Sequence, residues 1–322
     1  MTDRGHREVE HQIRINAPAA EVYRLIAEVR NWPRLFPPTV YVDHVERSGD
    51  SERIRIWATA NNTVKNWTSR RVLDPARLRI EFRQEVSAPP VASMGGAWLI
   101  ESISETESLV RLLHDYRAID DDPHDLIWID EAVDRNSQSE LAALKANVEL
   151  ATGAEELTFS FSDTVSINGA AKDVYDFLNE AQLWTERLPH VARVELTEES
   201  PGLQILEMDT RTKDGSTHTT KSIRVCFPDS RIVYKQITLP ALMNLHTGYW
   251  QIEDDPANEG GLLVTSQHTV VLNEANIGKI LGPDADVAQA REFVHKALSG
   301  NSCATLGYAK EFAEGRRAGT AE

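Results

Sequence analysis

Two stretches of this sequence bring together side chains that stabilise negative charge and move protons. The pattern Trp67-x-Ser69-x-Arg71 places three side chains on one face of a strand, because successive strand residues point to opposite sides. In another strand-like stretch, His114 and Tyr116 share the apolar face. A fixed guanidinium stabilises charge developing on oxygen, and an imidazole gives or takes a proton near neutral pH. If both faces point inward, an arginine, a serine and a histidine line one pocket.

Each candidate also has a structural interpretation. Arg71 can pair with a buried carboxylate, and His114 can be a satisfied core histidine. Serine and tyrosine side chains in strands usually have no role beyond a structural hydrogen bond. The tryptophans are most simply explained as residues that line the cavity or pack in the core. The candidates for the first pocket are Arg71, His114 and Ser69 as catalytic residues, and Trp67, Trp98, Tyr116 and Asp134 as substrate-binding residues.

The elements that must position these residues occur twice. The sequence "INAPAAEVY" at Ile15–Tyr23 returns as "INGAAKDVY" at Ile167–Tyr175, 152 residues later, and the same offset relates Trp98 to Trp250. One repeat of this length indicates a duplicated domain rather than a solenoid unit. The 322 residues also exceed one ordinary core. We expect domains at 1–151, the catalytic one, and 156–322, joined by a short polar link at 151–156.

Both copies have the same internal order: an alternating strand, an amphipathic helix (Val22–Val29 in the first copy), six strand-like segments and a long helix. Ser137-x-x-Glu140 resembles a capping box and predicts that the last helix of the first copy begins at Ser137. Asp134 would then either cap that helix or reach the mouth of a cavity. The order predicts an α+β fold with two tandem domains, each a curved antiparallel sheet around a long C-terminal helix with an internal cavity.

Composition excludes several classes of function. The net charge of −16 argues against nucleic acid or an anionic membrane as a partner, and no apolar run is long enough to span a bilayer. Cys226 and Cys303 lie outside any CxxC or Cys/His cluster, which is typical of reduced thiols in a cytoplasmic protein. HExxH, GxGxxG and P-loop patterns are absent, and we expect no metal site.

The charge is unevenly distributed. The stretch Arg53–Arg83 has eight basic residues and only the acids Asp74 and Glu81. These side chains are either alternating solvated positions on strands or a docking face for an acidic partner, and Arg70, Arg79 and Arg83 would then be its outward members.

The opening "INAPAAEVYRLIAEVRNWPRLFP" resembles the START/Bet v1-like helix-grip superfamily. The stretch "NWTSRRV", the tryptophan of "GAWLIES" and the paired domains resemble, more narrowly, the di-domain aromatase/cyclases of bacterial type II polyketide synthases. This resemblance implies a cofactor-free enzyme that acts on a poly-β-keto chain carried by an acyl carrier protein. Di-domain members are associated with chains that a ketoreductase has reduced once, and they close or aromatise the first ring with loss of water.

The second copy keeps part of this pattern. One residue of slip aligns Thr220-x-Ser222-x-Arg224 with the pattern of the first copy, so a threonine replaces the tryptophan. By the offset of 152, His268 aligns with Tyr116. Arg224, Ser222 and His268 are therefore the candidates for a second pocket, and the lost tryptophan favours the first copy as the working domain.

Three functions remain open at this point. The first is a polyketide aromatase/cyclase that works with other synthase components. The second is non-enzymatic binding or transport of a hydrophobic small molecule, and the third is a scaffold in which the second copy does no chemistry. Polar groups at the centre of a cavity favour the enzyme, because a simple carrier needs few of them.

Overall fold

The structure is a computed structural model that describes residues 5–60, 63–149, 156–211 and 215–319. Contacts divide the chain into two units, Met1–Gly153 (unit 1) and Ala154–Glu322 (unit 2). Apart from Glu156, the predicted link at 151–156 lies outside the described residues.

Unit 1 is one antiparallel sheet with a long helix after its last strand. Its elements are β1 (His6–Ile15), α1 (Ala19–Ala27), α2 (Trp32–Leu35), β2 (Thr39–Ser48), β3 (Ser51–Ala60), β4 (Thr63–Asp74), β5 (Arg79–Val86), β6 (Val91–Ser104), β7 (Glu107–Ala118) and α3 (Pro123–Glu149). The strand order is β1-β7-β6-β5-β4-β3-β2, so β2 to β7 follow one another across the sheet in sequence order and β1 pairs with β7.

Unit 2 repeats this architecture. Its elements are β8 (Thr158–Ile167), α4 (Ala171–Asn179), α5 (Trp184–Arg187), β9 (Val191–Ser200), β10 (Leu203–Arg211), β11 (Thr217–Phe227), β12 (Arg231–Thr238), β13 (Met243–Asp254), β14 (Leu262–Leu272), α6 (Glu274–Leu281) and α7 (Val287–Gly319). The strand order β8-β14-β13-β12-β11-β10-β9 is that of unit 1. The predicted α+β fold of two tandem helix-grip domains is confirmed.

The core of each unit lies between the inner face of its sheet and the helices. In unit 1, Val110 and Leu112 of β7 pack with Leu141 and Leu144 of α3 in one buried cluster. The alternation of buried and half-buried residues along most of β7 distinguishes the inner and outer faces of the sheet. Side chains on the inner face of the sheet therefore point towards α3.

The last helix of unit 1 begins earlier than the sequence predicted. It starts at Pro123, and the carboxylate of Asp122 accepts hydrogen bonds from the backbone N–H groups of His124 and Asp125. The capping-box prediction is therefore wrong: Ser137 is a buried residue inside the helix. Asp134 also lies within the helix and does not cap it.

Two insertions distinguish unit 2 from unit 1. In the β13–β14 hairpin, Asp254 pairs with Leu262. The equivalent pair in the β6–β7 hairpin of unit 1 is Ser102 and Ser108, so the hairpin of unit 2 is two residues longer. Unit 2 also carries α6 between its last strand and its long helix, and Ile277 anchors α6 in a buried apolar cluster. None of the helices in the described part of the chain is long and apolar enough to cross a membrane.

Candidate active site

A buried arginine on β4 carries the first candidate charge. Arg71 is 1% exposed and stands opposite Glu52 in the β3–β4 register. Its Nη1 atom lies 3.3 Å from Oε1 of Glu52, and Nη2 donates to the carbonyls of Ile26 and Ala27. Burial lowers the pKa of Arg71 to about 10, and Glu52 opposes this shift. Arg71 thus has the buried carboxylate that its structural interpretation required.

The equivalent arginine of unit 2 lacks such a partner. Arg224 is 2% exposed and stands opposite Gln204, which bears out the one-residue slip inferred from the sequence. Its Nη2 atom donates to the carbonyl of Leu178 at 2.5 Å, while Nη1 has no hydrogen-bond partner. In the described part of the chain no carboxylate lies within ion-pair distance of it, and burial lowers its pKa. Arg224 is therefore a buried cation without an ion pair among the described residues, and the more distant Glu198 only partly offsets its burial.

The other β4 and β6 candidates of unit 1 have packing roles in the structure. The buried hydroxyl of Ser69 donates to the carbonyl of Arg83 at 3.1 Å. Trp67 is half-buried and packs against the cluster that contains Ile54. Trp98 is buried, and its ring stacks on Phe36 with centroids 5.8 Å apart. None of these contacts involves Arg71 or His114.

The β7 and α3 candidates of unit 1 are spread over two environments. The buried Tyr116 donates its hydroxyl to Oδ1 of Asp130 at 2.6 Å, and burial raises its pKa. Asp134 is largely exposed, and its Oδ1 lies 3.0 Å from Nε2 of His11. The Nδ1 atom of His114 is buried without a hydrogen-bond partner, and burial lowers the pKa of this imidazole to about 4.

Strand register corrects the match of His268 with Tyr116. Gly96 of β6 pairs with His114, and Gly248 of β13 pairs with His268. His268 is therefore the counterpart of His114. The offset of 152 fails here because the β13–β14 hairpin is two residues longer than its counterpart.

His268 belongs to a buried cluster in a cavity of unit 2. This cavity has a volume of about 440 Å³ and is also lined by Ser222 and Arg224. The Nδ1 atom of His268 lies 2.9 Å from the Tyr234 hydroxyl and 2.9 Å from Nε2 of His246. Its Nε2 atom lies 2.7 Å from the hydroxyl of Ser302. The cavity thus combines a guanidinium that has no ion pair in the described part of the chain with two imidazoles and a phenol.

The cluster is held in its neutral form. Burial lowers the pKa of His246 to about 3 and that of His268 to about 4, and it raises the pKa of Tyr234. At neutral pH both imidazoles are therefore bases and the phenol keeps its proton. One of the two facing nitrogens of His246 and His268 must carry the hydrogen that joins them.

A glycine makes room for the phenol. A Cβ atom at Gly248 would lie 2.5 Å from the hydroxyl of Tyr234 and 2.2 Å from the carbonyl of Gln267. In unit 1, Gly96 stands beside Phe82 in the same way. The rings of Phe82 and His114 are in contact, with centroids 5.4 Å apart. Phe82 has no hydroxyl, so it cannot form the hydrogen bond that Tyr234 makes with His268.

Sequence reasoning missed Tyr234, His246 and Ser302. Two of them carried a signal: Tyr234 lies in "RIVYKQ", Arg231–Gln236, the counterpart of "RIEFRQ", Arg79–Gln84, and Ser302 lies in an "NS" that occurs at 136–137 and again at 301–302. His246 replaces Met94 of unit 1, so the repeat gave no signal for it. Among the residues that the structure describes, no group of three or more His, Cys, Asp or Glu is arranged to hold a metal ion.

The fold and the cavity together define a tandem helix-grip protein with a polar, titratable interior in its second unit. Residues 6–149 and 167–291 match two protein families that are both described as "Polyketide cyclase / dehydrase and lipid transport". The granaticin polyketide synthase bifunctional cyclase/dehydratase of Streptomyces virginiae is 54% identical over 297 residues, which are 92% of this chain and 96% of that protein. The actinorhodin polyketide synthase bifunctional cyclase/dehydratase of Streptomyces coelicolor is 44% identical over 319 residues, 96% of this chain and 98% of that protein.

A solved structure covers the same two domains. The di-domain ARO/CYC BexL from the BE-7585A biosynthetic pathway is 66% identical, with a TM-score of 0.86 over 96% of this chain and 99% of its own. This chain belongs to the family of di-domain polyketide cyclase/dehydratases. The resemblance inferred from the sequence is confirmed.

The two buried arginines should differ in their contribution to stability. Arg71→Met leaves the buried carboxylate of Glu52 with His44, 3.2 Å away, as its remaining partner, so the free energy of unfolding should fall by about 3 kcal/mol. Arg224→Met leaves no carboxylate behind, and its loss should stay below about 2 kcal/mol. Denaturant unfolding followed by hydrogen exchange in each unit measures both. Adding Glu52→Gln to Arg71→Met should recover most of the loss; equal losses for the two single variants would contradict the pairing.

The buried histidine cluster should make unit 2 sensitive to acid. The native pKa of His268, about 4, lies below the usual value of about 6.5 in unfolded chains. Between pH 6.5 and 4 the imidazole of His268 is therefore protonated in the unfolded state but not in the native state. This group's contribution to the free energy of unfolding is complete above pH 6.5 and is lost as the pH falls towards 4. We expect His268→Phe to reduce the slope of unfolding free energy against pH by about one proton in this window. Urea titrations between pH 7 and 4.5 measure it, and an unchanged slope would refute the neutral assignment.

Proposed function

We propose that this aromatase/cyclase of aromatic polyketide biosynthesis carries out its acid–base chemistry in the cavity of unit 2. The substrate is a poly-β-keto chain, reduced once, whose first ring is closed and aromatised by loss of water. The observation that carries the proposal is the presence of Arg224, without a carboxylate, in the same cavity as the Tyr234–His246–His268 cluster. This moves the working site from the domain favoured by sequence, 1–151, to the domain 156–322.

Ring closure requires stabilisation of an oxyanion. When an enol carbon attacks a distant ketone, negative charge develops on the ketone oxygen, and a fixed guanidinium in a water-poor cavity stabilises it strongly. Arg71 is less suited to this role because Glu52 already neutralises it at 3.3 Å. Arg224 and Ser222 offer donors without such competition. The apolar cavity wall, with Trp184 and Trp250, holds the folded chain so that one pair of carbons meets.

Dehydration requires a base and an acid at once. A neutral imidazole of the His246–His268 pair takes the proton beside the ketone, and Tyr234 gives its proton to the departing hydroxyl. The carbon–carbon double bond forms as water leaves, with a phenolate and an imidazolium left behind. Because the Tyr234 oxygen lies 2.9 Å from Nδ1 of His268, the proton returns along that contact and restores both groups.

The test is to replace the two proposed functional groups separately. His268→Asn and Arg224→Gln should each reduce formation of the aromatised product by about a hundredfold, since each removes a group used in the transition state. The variants are assayed with a minimal synthase, with and without a ketoreductase, and the products are identified by mass spectrometry.

His295→Asn is the matched control. His295 is an exposed histidine of α7 that contacts Phe161 and does not line the cavity. Its loss should leave the products unchanged. A folded His268→Asn enzyme with a normal product distribution would place the chemistry elsewhere.

We also propose that an acyl carrier protein presents the chain, in the cytoplasm, as the family resemblance implies. The basic stretch predicted for docking is largely neutralised in the structure. Six of its eight cations lie within ion-pair distance of acids: Arg53 and Arg70 with Glu85, Arg71 with Glu52, Arg77 with Asp74, Arg79 with Glu81, and Arg83 with Asp115. Arg55 and Lys65 have no acidic partner among the described residues; they contact Asn66 and the Trp128 ring.

Binding of an acidic carrier protein should therefore depend on Arg55 and Lys65 more than on the arginines that form ion pairs. Exchanging both for glutamate should raise the apparent KM for carrier-bound substrate about fivefold at low salt, and less at high salt, because exposed charges are screened. Arg79→Glu is the matched control within the paired set, and its effect should be smaller. Turnover of a small carrier-free mimic should not change. If Arg79→Glu had the larger effect, docking would use the groove of unit 1 that is lined by Arg70, Arg79 and Arg83.

A further inference from the structure

The ring of His268 has serine hydroxyls at one nitrogen and the rest of the cluster at the other. Its Nε2 atom lies 2.7 Å from the hydroxyl of Ser302 and 3.1 Å from that of Ser266, and both serines are buried. Its Nδ1 atom lies 2.9 Å from the Tyr234 hydroxyl and 2.9 Å from Nε2 of His246. A neutral imidazole carries one ring hydrogen, so the tautomer of His268 decides on which of these two sides it donates.

The phenol of Tyr234 decides this tautomer. Its buried hydroxyl needs an acceptor for its hydrogen, and among the described residues it has two: Nδ1 of His268 at 2.9 Å and Nε2 of His246 at 3.5 Å. A hydrogen on Nδ1 of His268 would leave the phenol only the longer contact, which exceeds the usual range of a hydrogen bond. The ring hydrogen of His268 therefore lies on Nε2, where Ser302 accepts it. The hydrogen that joins the two imidazoles then belongs to Nε2 of His246.

A hydroxyl, and not a carboxylate, orients this imidazole. In the part of the chain that the structure describes, Asp163 of β8 makes no hydrogen bond to His268 and accepts one from the hydroxyl of Ser299 at 2.9 Å. A carboxylate at hydrogen-bond distance would favour the imidazolium, whereas a hydroxyl adds no charge. The ring of Phe161 stacks on that of His268, with centroids 4.9 Å apart, and holds its plane. Ser302 therefore has only to fix the tautomer.

We propose, given the function proposed for unit 2, that Ser302 is a positioning residue for the loss of water: it accepts the Nε2 hydrogen of His268 and so keeps Nδ1, beside Tyr234, as the nitrogen that exchanges protons. The substrate's proton enters on Nδ1, and the imidazolium keeps its Nε2 hydrogen on Ser302. The electrons of the broken carbon–hydrogen bond form the double bond as the hydroxyl leaves with the proton of Tyr234. The Nδ1 hydrogen then passes to the phenolate, which restores both groups.

The tautomer can be measured on the full-length protein without substrate. Imidazole ¹⁵N–¹H correlation spectra show which ring nitrogen carries the hydrogen, and the signals of His268 are identified by their absence from His268→Phe. We expect the hydrogen on Nε2 in both His268 and His246 at neutral pH. A hydrogen on Nδ1 of His268 in the parent protein would overturn the proposal.

Two substitutions at Ser302 test its effect on turnover. Ser302→Ala leaves Ser266, 3.1 Å from Nε2, as the remaining hydroxyl, so kcat for the aromatised product should fall about tenfold while KM stays within about twofold. The spectrum of this variant should show part of the His268 population with its hydrogen on Nδ1. Ser302→Thr keeps the hydroxyl, and its kcat should stay within about threefold of the parent value.

Two results with these variants would refute the role of Ser302. One is a folded Ser302→Ala enzyme with parental kcat, and the other is an equal loss in folded Ser302→Ala and Ser302→Thr, which would show a packing role. If Ser302→Ala does not fold, the spectrum of the parent protein still decides.

Cys303→Ala is the matched control on the same helix. Cys303 follows Ser302 in the chain, but it is exposed and does not line the cavity. Its replacement should leave both kcat and the tautomer of His268 unchanged. A tenfold loss of kcat in Cys303→Ala would overturn the assignment to Ser302, because any substitution in this turn of α7 would then have the same effect.

The tautomer and the product assay distinguish the two ways of failing. If His268→Asn abolishes the aromatised product while the parent protein carries the His268 hydrogen on Nδ1, the function of unit 2 stands and the role of Ser302 is refuted. If the hydrogen lies on Nε2 but His268→Asn gives the normal products, the function proposed for unit 2 fails, and the role of Ser302 in proton transfer fails with it.

Discussion

Burial of one guanidinium on the inner face of each sheet is the constraint on which the other differences depend. A buried cation needs a carboxylate or several carbonyl oxygens, because desolvation otherwise makes its charge unfavourable. In unit 1 the strand opposite supplies Glu52, and Arg71 becomes part of the scaffold. In unit 2 the opposite residue is Gln204, which carries no charge, so Arg224 has no carboxylate at ion-pair distance among the described residues. One cross-strand substitution thus separates an ion-paired arginine from one without an ion pair.

The histidines depend in turn on the strand register. A glycine opposite each histidine lets the ring on the next strand approach, and that ring is Phe82 in unit 1 and Tyr234 in unit 2. The phenol needs a partner because it is buried, and it finds His268 at 2.9 Å. The same backbone therefore supports a hydrogen-bonded Tyr–His cluster in one unit and a ring contact between Phe82 and His114 in the other.

Alternation and the repeat made the strands, their order and the tandem plan predictable from the sequence. The start of α3 was not, because Asp122 and its acidic neighbours resemble a solvated loop until the carboxylate is seen to cap the helix. Nor was the role of Arg71, since its partner Glu52 comes from another strand. The match of His268 failed because two extra residues in a hairpin shift the offset without disturbing the pattern. Contacts between strands, unlike periodicity within a strand, depend on register that single sequences do not reveal.

Divergence after duplication has given the two interiors opposite electrostatic character. The substitutions that separate them, read as unit 1 then unit 2, are Glu52/Gln204, Phe82/Tyr234, Met94/His246 and Glu140/Thr305. In unit 1, Glu52 pairs with Arg71 and Glu140 adds a further carboxyl. In unit 2, Arg224 has no ion pair among the described residues, and the neutral imidazoles of His246 and His268 line the same cavity. Since ring closure and dehydration develop charge in their transition states, the polar interior of unit 2 is the one in which we propose that they take place.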